Sequence, residues 1–545
     1  MKIVGPVTVT FLMLVFLESF KLSFCGRNHN VTCIQSERQA LLRFKQHLKD
    51  PSNRLSSWTK NGDCCRWDGI ICSNVSGHLI ELHLGSSRGT RKLGGKLNPA
   101  LLDLNHLTYL DLSDNDFRQT EIPTWFWNMS SNLSYFNISR NQFQGNIPDL
   151  LTMTQPSVLI DLSCNNFTDS LPLLSSNVTA IDFSFNSLSG SMSHFLCHKL
   201  NEPMKLEILN LGHNLLSGKI PECWKKWSRL VGIKLCDNNF SGKIPGSMGA
   251  LTLLQSLHVR NNSVVGEIPS SLRHCGELVT ADFGYNQLSG DIPGWIGERL
   301  PKLIILSLHS NKFYSAMNSG NNSDDKIFYR TSKGSFFEDI LVVMKGRVVN
   351  YDTTLKLVKT MDLSDNNLSG EIPEEVTSLA GLQSLNFSHS HLVGRIPYNI
   401  GAMTSLECFD LSTNNLSGEI PLTISDLSFL SHLNLSYNKF TGKIPTGTQL
   451  QSLNADSFYG TKLFGPPLSE SSTDVRFGTG GVLKNREDQH QVDWFFLTVE
   501  LGFLSGFFGT VFLLMLCKSG RLVHFQYVDE TGHSLGRIIR KYIVK

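Results

Sequence analysis

Apolar and polar positions along the chain follow a long repeating rule. The segment from Leu206 reads LEILNLGHNLLSGKIP, that from Leu230 LVGIKLCDNNFSGKIP and that from Leu406 LECFDLSTNNLSGEIP. Leucines or their substitutes fall at L-x-x-L-x-L, followed by x-x-N-x-L-x-G-x-I-P. Asn214, Asn238, Asn262 and Asn286 are 24 residues apart, and so are Asn366, Ser390, Asn414 and Asn438, where Ser390 once replaces Asn. Asn115, Asn141, Asn165, Asn186 and Asn311 mark looser copies. With a first copy near Leu82 the pattern predicts about fourteen repeats.

The period predicts an α/β solenoid, a leucine-rich-repeat superhelix. In each coil the x-L-x-L-x segment is a short strand whose alternate leucines point inward. Stacked coils pair these strands in parallel and bury one continuous apolar column. The Asn amide, with donors and an acceptor, suits turn backbone groups that no neighbouring strand satisfies. Pro after Ile directs the chain into an extended segment on the other side.

A solenoid exposes its terminal coil unless a cap covers it. Before the repeats, Ser36 and Gln39 have capping-box spacing, and Ala40, Leu41, Phe44 and Leu48 form an apolar helical stripe. Cys33, Cys64, Cys65 and Cys72 follow with Trp58 and Trp67. In a secreted chain this clustering reads as two disulfides; zinc is the competing reading.

Two apolar segments set the compartment. Lys2, the run Val7–Leu17 and the small or polar residues Ser23–Gly26 have the layout of a secretory signal. Trp494–Leu516 is long enough to span a bilayer, with Glu500 as its one formal charge. Lys518, Arg521, Arg537, Arg540, Lys541 and Lys545 follow it, whereas Glu487, Asp488 and Asp493 precede it, which orients the N-terminus outward in the plasma membrane. Within the span Gly502 and Gly506 form a G-x-x-x-G, continued by Ser505 and Gly509, the spacing that lets two helix backbones approach in lipid. Cys517 lies just inside, where palmitoylation or a plain thiol is expected.

Composition adds little. A net charge of +2 with 41% apolar residues gives no basic domain for nucleic acid. No H-E-x-x-H, phosphate loop or G-x-S-x-G elbow occurs, no cofactor is implied, and the residues after Leu516 are too few for a kinase, so no enzyme is expected. Strand positions facing the concave surface are monotonous late in the array, as in Asp362, Ser364, Asp410 and Ser412. Between 206 and 311 they diversify to His213, Lys234, Asp237, His258, Arg260, Asp282, Tyr285 and His309. With coils about 4.8 Å apart, these predict a mixed-charge, aromatic patch suited to a peptide or protein ligand.

Fourteen N-x-S/T sequons occur, at Asn30, Asn74, Asn128, Asn132, Asn137, Asn166, Asn177, Asn239, Asn261, Asn321, Asn367, Asn386, Asn415 and Asn434. Asn137, Asn386 and Asn434 fall in strand segments, so sugar there would lie on the concave side.

The cap CIQSERQALLRFKQHLKDPSNRLSSW…DCCRWDGIIC, the L-x-G-x-I-P repeats and the order of the tail resemble plant leucine-rich-repeat receptor-like proteins without a kinase domain. The group includes the fungal-xylanase and leaf-mould receptors. The resemblance runs from Cys33 to about Phe525 and implies plant-type repeats with Cys33 paired to Cys64 and Cys65 to Cys72. Cys197 and Cys223, in neighbouring repeats at a spacing compatible with a disulfide, match a similar pair in relatives. Cys164, Cys236, Cys275 and Cys408 have no obvious partner.

Asn311 and Asn366 are 55 residues apart, so about 31 residues intrude. The insert resembles the family's island domain, in which Lys345 and Tyr351 match the approach to the last four repeats and are candidate ligand contacts. The expected organisation is a signal at 1–25, cap at 26–78, repeats at 79–314, island at 315–356 and repeats at 357–446. A C-terminal cap remnant and acidic linker at 447–493, a membrane helix at 494–516 and a basic tail at 517–545 complete it. The chain departs from the pattern in placing Phe464 where a cap cysteine is expected and in carrying about half the usual repeats.

The resemblance implies a cell-surface defence receptor for an extracellular peptide, protein or glycan elicitor, signalling through adaptor and co-receptor kinases of the leucine-rich-repeat type. The competing readings are an extracellular inhibitor of cell-wall-degrading enzymes and a truncated decoy or developmental co-receptor.

Overall fold

The computed structural model describes residues 32–86, 91–117, 121–198, 203–315 and 359–468, with the backbone of four short strands between 330 and 351. One fifteen-stranded sheet runs through the solenoid. It starts with Ile70–Cys72 of the cap, antiparallel to Leu79–His83, and every later step is parallel. Register is uniform over long stretches: Asn210, Lys234, His258, Asp282 and Ser307 stand opposite one another on successive strands. The residue between the two outward positions of each strand, such as Leu209, Ile233, Leu257 and Leu306, is buried and contributes to one continuous apolar core.

The asparagines hold the turns. Asn238 Nδ2 donates to the carbonyls of Leu211, Leu235 and Cys236 at 3.0, 3.2 and 3.0 Å, while its Oδ1 accepts from Leu216 N–H at 3.0 Å. One side chain thus satisfies backbone of its own coil and of the preceding one, and the pattern repeats from Asn115 to Asn438. Ser390 is too short for this role, and its buried hydroxyl has no hydrogen-bond partner. The residue before the Asn is left-handed in every copy from Asp114 to Tyr437, at φ near 54°, although none of them is glycine. Its amide is held by the next coil, as when His213 N–H donates to Cys236 O at 2.9 Å.

The outer wall differs from the helical element that an α/β solenoid implies. Most outer connections are single 3₁₀ turns, such as Gly246–Ala250, Ser270–His274 and Leu422–Asp426. The preceding Pro245, Pro269 and Pro421 are extended, which leaves too few residues for an α-helix to propagate. The L-x-G-x segments pair into a second, eight-stranded sheet along one flank.

The cap helix spans Gln35–Gln46 and buries Ala40, Leu41 and Phe44. The capping box expected from Ser36 does not form. The N-cap is Ile34, two residues before Ser36, with no side-chain cap, and Leu48 lies beyond the helix in a strand paired with Gly95. Glu37, 3% exposed, instead docks the helix onto the first repeat: its carboxylate accepts Leu79 N–H at 2.8 Å and lies 2.9 Å from His78 Nδ1. Cys33–Cys64 and Cys65–Cys72 are disulfides, which removes the zinc reading of the cap, and Cys197–Cys223 is a third.

The island interrupts the sequence and leaves the sheet continuous. Ile305–Ser307 pairs directly with Thr360–Asp362, Ser307 opposite Asp362. Within the insert, Ile340–Met344 and Arg347–Tyr351 form an antiparallel pair. At the far end the solenoid is closed by backbone: Leu435 and Tyr437 N–H donate to Ser457 and Tyr459 O, and Lys462–Phe464 extends the last strand in parallel. Among the described residues no helix is long and apolar enough to cross a membrane. The expected signal at 1–25, the linker beyond Leu468, the span at 494–516 with Gly502, Ser505, Gly506 and Gly509, and the tail lie outside the described residues.

Candidate functional site

The concave face is a grid of columns. Strand residues such as Asn210, Lys234, His258 and Asp282 form one, the residue two further on (Gly212, Cys236, Arg260, Gly284) a second, and the left-handed residue (His213, Asp237, Asn261, Tyr285) a third.

The eight concave residues expected between 206 and 311 separate by column. Lys234, His258 and Asp282 are in register and only 5, 3 and 2% exposed, because neighbouring side chains in one column cover each other. They form the floor of the surface. The other five reach its top. His213 Nε2 lies 3.2 Å from Asp237 Oδ2, and Asp237 Oδ1 accepts from Asn261 Nδ2 at 2.7 Å. The Arg260 guanidinium sits 4.9 Å above the ring centroid of Tyr285, which is 42% exposed and meets His309 edge-on at 4.7 Å. His309 Nδ1 is 2.7 Å from Ser364 Oγ, and Ser364 Oγ donates to Asp362 at 2.6 Å, so the network crosses the point where the island leaves. Burial pushes the Asp362 carboxyl above the usual range, with the His309 charge opposing. Of the island candidates, Tyr351 is the last residue of its strand, opposite Ile340, and Lys345 lies outside the described residues.

Sequence reasoning missed the N-terminal half of the grid. Phe185, in the left-handed column and half exposed, stacks on His213 with centroids 4.0 Å apart. Further along, His83, Tyr109 and Tyr135 stack over three strands at 4.3 and 4.1 Å. Glu81 lies 2.7 Å from His83 Nε2, and Asn137 Nδ2 donates to Tyr135 Oη at 3.2 Å. Burial, with the neighbouring Tyr135, raises the Tyr109 hydroxyl. The aligned strand positions carry the signal, but the irregular spacing from Asn115 to Asn186 hides it.

The sequons fall into two groups. Asn74, Asn128, Asn132, Asn166, Asn239, Asn261 and Asn367 are exposed, and Asn177 and Asn415 are partly so. Asn137 and Asn386 are buried in the strand column, where Asn137 Oδ1 accepts from Ser139 N–H and Oγ and Asn386 Oδ1 from Ser388 N–H. Asn434 is partly buried there, with Nδ2 3.3 Å from Asp410 Oδ2. Asn30 and Asn321 lie outside the described residues.

Comparison with known proteins agrees with this architecture. The leucine rich repeat N-terminal domain family matches residues 34–73. The leucine rich repeat family matches 106–129, 132–153, 205–227, 253–275, 357–379, 405–427 and 429–454. Receptor-like protein EIX2 of Solanum lycopersicum is 40% identical over 26% of this chain, and receptor-like protein EIX1 of the same organism 34% identical over 38%. The match covers only 14% and 21% of those two relatives' own lengths. The ectodomain of the Arabidopsis receptor kinase HAESA, solved with an N-terminally extended IDA peptide hormone, has the same fold, with a TM-score of 0.50 and 24% identity over 78% of this chain and 73% of that one. Stapled cap and asparagine-pinned coils match the leucine-rich-repeat families, and over parts of its length the chain is similar to plant receptor-like proteins.

Proposed function

We propose that the chain is a cell-surface recognition receptor that binds an extracellular peptide or protein on the concave face between His213 and His309, beside the island. One observation carries the reading: the Phe185–His213–Asp237–Asn261 contacts and the Arg260–Tyr285–His309–Ser364 contacts place aromatic edges, a cation and an anion side by side across successive coils. Such a surface offers stacking and charge-assisted hydrogen bonds to an extended chain, and Tyr and Arg are the side chains that dominate binding hot spots. That HAESA binds a peptide hormone on this fold supports the class of ligand. Defence signalling through a partner receptor kinase, joined along Gly502, Ser505, Gly506 and Gly509 of a membrane helix, completes the proposal.

The test is affinity purification of the full chain from plant membranes, followed by mass spectrometry, with a Gly502→Leu/Gly506→Leu double variant alongside. A receptor kinase that co-purifies with the natural chain and is lost with the variant is the expected outcome. Absence of any kinase from both would turn the reading toward an inhibitor or decoy. An Arg260→Ala/Tyr285→Ala variant should keep the kinase and lose elicitor-dependent signalling.

A further inference from the structure

At the centre of the grid, three chemically distinct donors from two neighbouring coils converge. His213 and Asp237 occupy the left-handed column on adjacent coils, and Cys236 precedes Asp237. One ligand atom from each, an imidazole nitrogen, the Cys236 thiol sulfur and a carboxylate oxygen, lie within 4.8 Å of one another. In several other coils this second-column position is Ser, whose hydroxyl closes onto an Asp two residues earlier, as in Asp161–Ser163 at 2.7 Å and Asp362–Ser364 at 2.6 Å. Here the residue two earlier is Lys234, so Cys236 has no carboxylate of that kind on its own strand. The neighbouring coil supplies Gly212, where even a Cβ would come within 3.0 Å of Cys236 Sγ, so the space beside the sulfur is kept open. Phe185 stacks on the His213 ring and Asn261 Nδ2 bonds the far Asp237 oxygen, which fixes two of the donors from behind.

We infer that His213, Cys236 and Asp237 form a binding site for a borderline transition-metal dication, zinc foremost, with the fourth position left open toward the concave face. A mixed nitrogen, sulfur and oxygen set suits zinc and excludes calcium and magnesium, which take oxygen ligands. The contact of 3.2 Å between His213 Nε2 and Asp237 Oδ2 is a separation that two ligands of one tetrahedral ion can adopt with small adjustment. On coordination the thiol proton of Cys236 leaves to solvent and the thiolate becomes the ligand. Exposure of His213 leaves the fourth position accessible to water or to a carboxylate of an incoming ligand. This inference does not depend on the receptor reading.

The test uses the full chain, purified without reductant so that its disulfides persist, stripped with chelator and titrated with cobalt(II). One equivalent should bind with a thiolate-to-cobalt charge-transfer band that zinc(II) then abolishes. Cys236→Ser should remove the band, His213→Gln should weaken binding by roughly tenfold or more, and Cys164→Ser should change neither. Wild-type protein without the band, or a band that survives Cys236→Ser, would overturn the assignment. Should Cys236→Ser fail to fold, unchanged cobalt affinity in His213→Gln, a substitution at an exposed position, would overturn it equally.

Discussion

Ser390 is the break in an otherwise regular ladder of amides. Its hydroxyl is buried without a partner where Asn366 and Asn414 each hold three carbonyls and one amide. Ser390→Asn should therefore stabilise the chain by about 1–2 kcal/mol, seen as a higher melting temperature, since it supplies bonds to groups already desolvated. The sequons divide by the same bookkeeping. Asn137 and Asn386 cannot carry a glycan and stay in their column, so glycopeptide mass spectrometry should find them bare and Asn74, Asn166, Asn239 and Asn367 occupied. Abundant sugar on Asn137 or Asn386 would contradict the packing of the concave face.

At the scale of paired strands, Asp161 stands opposite Asp182, whereas Asp362 faces Asn386 and Asp410 faces Asn434. Burial and the Asp182 charge raise the Asp161 carboxyl to about 6 from an ordinary 3.8, and burial raises Asp182 as well. The folded chain thus holds protons that the unfolded chain releases, so this pair stabilises below about pH 4 and the stabilisation is lost as pH rises through about 6. The melting temperature should increase on going from about pH 7 to about pH 5. Asp161→Asn should flatten that dependence and add up to about 3 kcal/mol near neutrality. A flat wild-type profile would show that the two carboxyls titrate normally.

The strands themselves were legible from leucine spacing, because a buried alternate position tolerates little but apolar residues. The burial of Lys234, His258 and Asp282 was not, because the alternation rule assigns outward side chains to solvent and ignores their neighbours one coil away. Nor was the left-handed column. Residues as different as Phe185, Asp237 and Tyr437 adopt it, since the next coil's carbonyl, not the side chain, sets the backbone there.

Over the whole molecule, the direct pairing of Ile305–Ser307 with Thr360–Asp362 separates scaffold from insert. Replacing residues 317–357 by a short linker should leave thermal unfolding within about 1 kcal/mol of wild type, because no strand of the long sheet comes from the insert. Loss of cooperative melting would show that the insert holds the last four coils in place. The closure of the C-terminal coil by the backbone of residues 455–464, where Phe464 takes the place of a cap cysteine, was not legible either, since main-chain hydrogen bonds leave little trace in residue identity.

The left-handed column carries one more consequence. Each of its residues is positioned by main-chain bonds that any side chain permits, at a modest conformational cost that Asp, Asn and His bear most easily. The row from Asp114 to Tyr437 is therefore a set of interchangeable sockets at fixed pitch, where a contact can be rewritten one residue at a time while the coils beneath keep their register.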